Sequence, residues 1–163
     1  MNAKTIIFLI IIVLYSCKRT NNATLSDIID KFDNVDISLF DNKFIAIRDD
    51  NYIYTTYIIN IANDNEWPYF VKYNKLTKKI SKKWKYGPNK HNFTDKEINE
   101  MIEHFNKLNI YLLSVDNNKN ILLNPYSKNS PPSLLRVNNF QGKDTIRKGF
   151  IFKHYKKNWY IKI

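Results

Sequence analysis

Apolar positions recur along this chain with two different periods, and the change of period marks the elements. Leu25, Ile28, Ile29 and Phe32 fall at i, i+3, i+4 and i+7, one stripe of a helix over about 25–33. Thr24 precedes the stripe and Asp27 stands three residues on, the arrangement of a capping box. A second stripe, Ile98, Met101, Ile102, Phe105 and Leu108, follows a clearer capping box at Thr94-Asp95-Lys96-Glu97. Between the two stripes the period drops towards two, in segments rich in β-branched and aromatic residues. ISLF and FIAIR flank Asp41-Asn42-Lys43, then comes YIYTTYIINIA. WPYFVKY and KKISKKWKY read as a hairpin turning through Asn74 to Lys78. After the second helix IYLLSV, NILLN and LLRV follow, with the loop NPYSKNSPPS before the last of them. GFIFKHY and WYIKI close the chain around a Lys-Lys-Asn turn. The expected fold is α+β: a largely antiparallel sheet with two helices packed on one of its faces, in a single domain over 24–163.

The N-terminus follows neither period. Ile6 to Leu14 is an unbroken run of nine apolar residues behind Lys4. A bilayer span needs roughly 20, whereas a secretory h-region takes about 7–15. The run ends in Leu14-Tyr15-Ser16-Cys17, and Cys17 is the chain's single cysteine. The stretch resembles the lipobox of bacterial lipoprotein precursors, with an aliphatic residue at −3, a small one at −1 and then cysteine. Tyr15 at −2 departs from the small residue favoured there. The resemblance covers residues 1–17. It implies that 1–16 is a signal peptide and that Cys17 becomes a diacylglyceryl cysteine, with 17–23 as lipidated residue and short tether. The rival readings are an ordinary secretory signal cleaved downstream and a buried strand of a cytosolic protein. A mature chain of this kind has no disulfide, and a diacylglyceryl cysteine anchors a protein to a membrane where a lone acyl chain does so only marginally.

Composition changes the picture in one respect. At 163 residues, with 44% hydrophobic and 15% aromatic, the chain is long and apolar enough for one proper core. The formal charge is +11. Its 22 lysines stand against 4 arginines, whereas bidentate reading of phosphates and bases favours arginine. Net charge alone therefore does not argue for a nucleic-acid partner. The distribution says more. Residues 67–92 hold 8 lysines and no acid: Lys72, Lys75, Lys78, Lys79, Lys82, Lys83, Lys85 and Lys90. Trp67, Tyr69, Phe70, Tyr73, Trp84 and Tyr86 are interleaved with them. Strand alternation sends Lys83 and Lys85 one way and Trp84 the other, so the plain expectation puts lysine in solvent and tryptophan in the core. The functional expectation makes these eight lysines a surface for an anionic partner: an acidic protein, a glycan or lipid head groups.

Catalytic signatures are sparse. His91, His104 and His154 are far apart, and Glu97, Glu100 and His104 share a helix face that reads as solvated surface. HExxH, GxSxG and the P-loop pattern are absent, and Gly87, Gly142 and Gly149 cannot make a glycine-rich phosphate cradle. Asp49-Asp50 reads as the start of a turn. In NPYSKNSPPS, Pro131-Pro132 favours polyproline II geometry and exposes Tyr126 and Ser130. Two Asn-x-Thr sequons, at Asn22 and Asn92, are what chance yields from so much asparagine. No catalytic residue, metal or cofactor is expected. The sequence reads as a lipid-anchored protein of the bacterial envelope, acting by binding a protein with an acidic surface, in the manner of an immunity, inhibitor or accessory protein. The alternatives are a small envelope hydrolase acting on glycan or peptide, which needs a cleft with two carboxylates or a carboxylate with His104 or His154, and a structural subunit of an envelope complex.

Overall fold

The structure, a computed structural model, describes residues 24–88, 90–139 and 144–163. The apolar run, Cys17 and the tether lie outside the described residues. Among the described residues no helix is long and apolar enough to cross a membrane.

The chain divides into two compact units, the first ending at Val35 and the second running from Asp36 to Ile163. In the first, helix α1 spans Leu25–Asn34. Its capping box forms as the sequence predicts: Asp27 N–H donates to Thr24 Oγ1 at 3.2 Å and Thr24 N–H to Asp27 Oδ2 at 2.8 Å. These hydrogen bonds from Thr24 hold the Asp27 carboxyl below its ordinary pKa.

The second unit opens with a 3-10 turn, Ser38–Phe40. Strands β1 Lys43–Asp50, β2 Tyr54–Ile61, β3 Tyr69–Asn74 and β4 Lys79–Trp84 form a meander. Helix α2 follows at Asp95–Leu108. Then come β5 Leu112–Val115, β6 Ile121–Asn124, β7 Leu134–Arg136, β8 Thr145–Arg147, β9 Phe150–Lys156 and β10 Trp159–Lys162. All ten strands join one sheet, in the order β4-β3-β2-β1-β5-β6-β7-β10-β9-β8. Each pairing is antiparallel.

This corrects the expected α+β class with two helices on one face of the sheet. Among the described residues the chain is a β-rich fold with ten strands in a single sheet and two short helices, of 10 and 14 residues. The reason is one of area. The segments after α2 each add a strand to the same sheet, and two short helical stripes cannot cover so wide a surface. Sheets approaching ten strands relieve this by curling. Here Arg147 on edge strand β8 is ion-paired with Asp116, just beyond β5. Those strands stand five places apart in the sheet, roughly 24 Å if it were flat, so the β8 end must roll inward. Leu122, Leu135, Phe152 and Tyr160 form a buried cluster inside the roll, with Val137 and Phe150 against it. On the other face α2 buries Ile98, Met101, Ile102, Phe105 and Leu108. Phe105 meets the Tyr57 ring edge-on at 6.1 Å between centroids.

Two smaller expectations also change. ISLF makes the 3-10 turn and no strand, and β8 was not anticipated. With so few glycines, the chain closes turns with other residues in the left-handed region: Asn42, Asn63 and Asn109, and also Lys78, Lys119, Lys148 and Lys157. Asparagine tolerates that conformation; lysine does so at a cost.

Candidate functional site

Strand register assigns each residue of the β1–β4 meander to a face. Ile45, Ile59 and Tyr69 lie in one row, Ile47, Tyr57, Val71 and Lys83 in the next, on the side that α2 covers. The opposite face carries Ala46, Ile58, Phe70 and Trp84 in one row, and Thr56, Lys72 and Lys82 in its neighbour. Trp84 stacks on Phe70 with centroids 5.7 Å apart, and Tyr86 meets Phe70 edge-on at 5.1 Å. Cations sit over these rings. Arg48 lies 5.1 Å above Phe70, Lys72 4.2 Å above Tyr54 and Lys82 5.4 Å above Trp84. Thr56, Ile58, Lys72 and Trp84 are half-buried, while Lys82 and Tyr86 are exposed.

The two sides of β4 part as expected, with Lys83 and Lys85 exposed and Trp84 half-buried, but α2 lies on the lysine side. Trp84 belongs to the face away from α2, together with Lys82. Lys83 points to the helix side, where it is ion-paired with Asp95 and donates to the Phe93 carbonyl at 3.3 Å. Asp95 opens α2, so a strand lysine clamps the helix start. Lys85 lies 5.6 Å above the Tyr69 ring, on that same side.

The eight lysines thus do not form one surface. Lys75 pairs with Asp50 at 2.7 Å and Lys90 stands 3.8 Å from Glu66. With Lys83 this makes three lysines with acid partners, each acid coming from outside the acid-free stretch. Lys78 and Lys79 are exposed at the hairpin turn. Lys72 and Lys82 lie directly opposite each other across β3 and β4. Sequence reasoning did not include Arg48 in this surface; its place depends on an irregular register between Ile47 and Asp49 that no local pattern announces.

A cleft of about 550 Å³ lies on the α2 side, lined by residues that include Asp50, Thr55, Tyr57, Tyr73, Lys75 and Glu103. Tyr57 donates to Asn106 Oδ1 at 2.7 Å. Burial, more than any other cause, raises the pKa of Tyr57 and also of Tyr73, where the Glu103 charge adds to it. Both hydroxyls therefore remain protonated donors. Asp50 takes a hydrogen bond from Thr55 Oγ1 at 2.5 Å as well as the Lys75 ion pair. Asp49 and Asp50 end β1, where a turn was expected, and diverge: Asp49 pairs with Lys128 at 3.1 Å.

Each histidine expected of a hydrolase uses one ring nitrogen on a backbone carbonyl. His104 Nδ1 donates to the Glu100 carbonyl at 2.9 Å, and His154 Nε2 to the Lys157 carbonyl at 2.8 Å. A carbonyl only accepts, so both nitrogens carry protons. Glu97, the other acid on the His104 face, is engaged in its capping box, whose hydrogen bonds from Thr94 lower its pKa. His91, in contrast, meets Asp64 Oδ2 at 2.9 Å, beside Glu66. In the loop from Asn124 to Ser133, buried Asn124 donates through Nδ2 to the carbonyls of Ser127 and Ser130, at 2.5 and 2.7 Å. Tyr126 and Ser130 are exposed there.

No protein-family model matches the chain, and comparison with curated proteins and with solved structures finds no match either.

Proposed function

We propose that this chain is a lipid-anchored protein of the bacterial envelope, held by Cys17, that works by binding an acidic protein through the outer face of the β1–β4 meander. One observation carries the reading: Lys72 and Lys82 stand opposite each other in the ladder. Like charges directly opposite across strands destabilise a sheet. A surface that keeps such a pair, beside Arg48 and over the Phe70, Trp84 and Tyr54 rings, favours a partner that brings negative charge. Aromatic residues and arginine at the centre of the patch also suit a protein interface. The lipobox-like end at Cys17 supports the envelope address.

Lys82→Glu tests it, because the change replaces a repulsive pair by an attractive one. The variant should fold at least as well as the native chain and yet bind its partner at least about tenfold more weakly. Affinity capture from envelopes, with the full chain as bait, should yield one acidic protein in 1:1 ratio that leaves as salt rises. Equal capture by Lys82→Glu would sink the proposal. So would salt-sensitive binding of the Cys17→Ser chain to vesicles rich in phosphatidylglycerol with no protein recovered. The anchor has its own test, since unchanged membrane fractionation of Cys17→Ser would refute lipidation.

The hydrolase alternative gains one observation, the presence of both Asp50 and Glu103 in the cleft walls. Asp50 is already engaged by the Lys75 ion pair and the Thr55 hydrogen bond, which leaves Glu103 as the carboxylate to test. Glu103→Gln with unchanged turnover of envelope glycan or peptide would remove this alternative.

A further inference from the structure

Asp64 and Glu66 lie in the turn after β2, and His91 in the segment that leads into α2. Their ligand atoms, one imidazole nitrogen and two carboxylate oxygens, all fall within 4.8 Å of one another. We propose that these three residues bind a divalent transition-metal ion of the zinc class. This inference stands apart from the partner-binding face.

The donor set argues for that class of ion. Imidazole nitrogen suits zinc and its first-row neighbours, whereas magnesium and calcium are held by oxygen donors. Three protein ligands of this type leave the remaining position to water. The spacing fits as well. Ligands bonded at about 2.0–2.2 Å to one metal stand roughly 3–3.5 Å apart. His91 Nε2 and Asp64 Oδ2 are already 2.9 Å apart. Closing the widest separation in the set takes a side-chain movement of about 1–2 Å.

The surroundings hold the ligands as a metal site requires. Asp64 Oδ1 accepts the Glu66 N–H at 2.9 Å, leaving Oδ2 turned to the histidine. Glu66 Oε2 accepts the Lys90 N–H at 2.5 Å. The backbone of His91 is fixed from a third direction, where the Tyr69 hydroxyl donates to its carbonyl at 2.9 Å. Outer hydrogen bonds of this kind orient metal ligands. The Lys90 ammonium, 3.8 Å from Glu66 Oε1, is almost fully exposed and can swing into solvent when the metal charge arrives.

The test uses the full chain in detergent, free of any histidine tag and stripped with chelator. Calorimetric titration with zinc chloride should show one equivalent bound. His91→Ala should weaken binding at least about tenfold, as should Asp64→Asn, which keeps the shape of the side chain and its acceptor for Glu66 N–H. His104→Ala, remote on α2, should leave it unchanged. Cobalt should give a visible d–d spectrum that zinc abolishes. The absence of binding heat and of a cobalt spectrum would overturn the assignment. So would native affinity in His91→Ala and Asp64→Asn, or displacement of zinc by calcium at equal concentration.

Discussion

The two ends of the sheet treat positive charge in opposite ways. At the β8 end Arg147 folds back onto Asp116, whose side chain is only 6% exposed. Asp116 also accepts the N–H groups of Asn118 and Asn120, each at 2.9 Å, and the Asn120 amide at 3.0 Å. At the β4 end Lys72 and Lys82 face each other over aromatic rings with no carboxylate between them in the ladder. One cation helps close the fold and the other two present themselves outward. Net charge is blind to this difference. What separates the two ends is whether an acid has been brought inside to meet the base.

Breaking the closed end should have the largest effect. Burial works to raise the Asp116 pKa, but the Asn120 hydrogen bonds, the Arg147 charge and the Asn118 N–H outweigh it, and the net shift is downward. Asp116→Asn leaves a half-buried guanidinium without its counter-charge, for which about 3 kcal/mol of lost stability is expected, the low end for a buried pair because Arg147 is partly solvated. Denaturant unfolding at neutral pH measures it. A carboxyl depressed in the folded state contributes stability that is complete above its unfolded pKa, about 3.9, and is lost as pH falls towards the folded value. The native chain should therefore lose stability more steeply below pH 4 than Asp116→Asn does. Parallel acid curves would mean that Asp116 is not the carboxylate that matters.

At the open end, Lys82→Glu separates two quantities that usually move together. Partner affinity should fall by at least about tenfold, while the free protein gains up to about 0.5 kcal/mol from the new Lys72–Glu pair. A loss of stability would show that the two ammonium groups do not repel in the native chain. Lys83→Met sharpens the comparison within one strand. Lys83 faces α2 and pairs with the largely exposed Asp95. Its loss should cost no more than about 1 kcal/mol, the ceiling for surface pairs, and leave partner binding alone. If Lys83→Met weakened binding as much as Lys82→Glu, the division of β4 into two faces would be wrong.

How much of this was legible in the sequence depends on the range of the interaction. Both capping boxes are three-residue signals between neighbours, and both formed. The strands of the first meander were visible in their β-branched and aromatic runs. The fold class was misread because no local period shows that the segments after α2 extend the same sheet, and β8, only three residues long, is too short to show a period at all. That α2 lies on the Lys83 side of β4 and not on the Trp84 side was not legible, because alternation gives the two sides of a strand without naming the one a helix covers. α2 decides that, by lying over Tyr57 and Tyr69's neighbours in the ladder. The cluster of Asp64, Glu66 and His91 had no signature either, since a turn at 64–66 meets residue 91 only through folding. The eight lysines were correctly seen as a concentration of charge, but the acids that answer Lys75, Lys83 and Lys90 lie at Asp50, Asp95 and Glu66, outside the stretch that was counted.

The smallest effect comes from the turns that join these strands. Lys148 and Gly149 link β8 to β9 with both φ values positive, 49° and 79°. That is the pattern of a type I′ hairpin, which suits the right-handed twist of the flanking strands. A lysine in the left-handed region carries a steric cost of roughly 1–2 kcal/mol, while glycine pays more entropy on folding, about 0.5–1 kcal/mol. Burial lowers the Lys148 pKa, and the nearby Arg147 charge lowers it further, so removing the ammonium also relieves a repulsion beside the Asp116–Arg147 pair. Lys148→Gly should therefore stabilise the chain by about 0.5–1 kcal/mol, read as a rise in the denaturant midpoint at unchanged slope. The same change at Lys157, φ 52°, compares a second left-handed lysine, whose carbonyl still receives the His154 proton. A gain at Lys148 larger than at Lys157 measures what charge crowding adds at the closed end. Equal gains would assign the whole effect to the left-handed backbone.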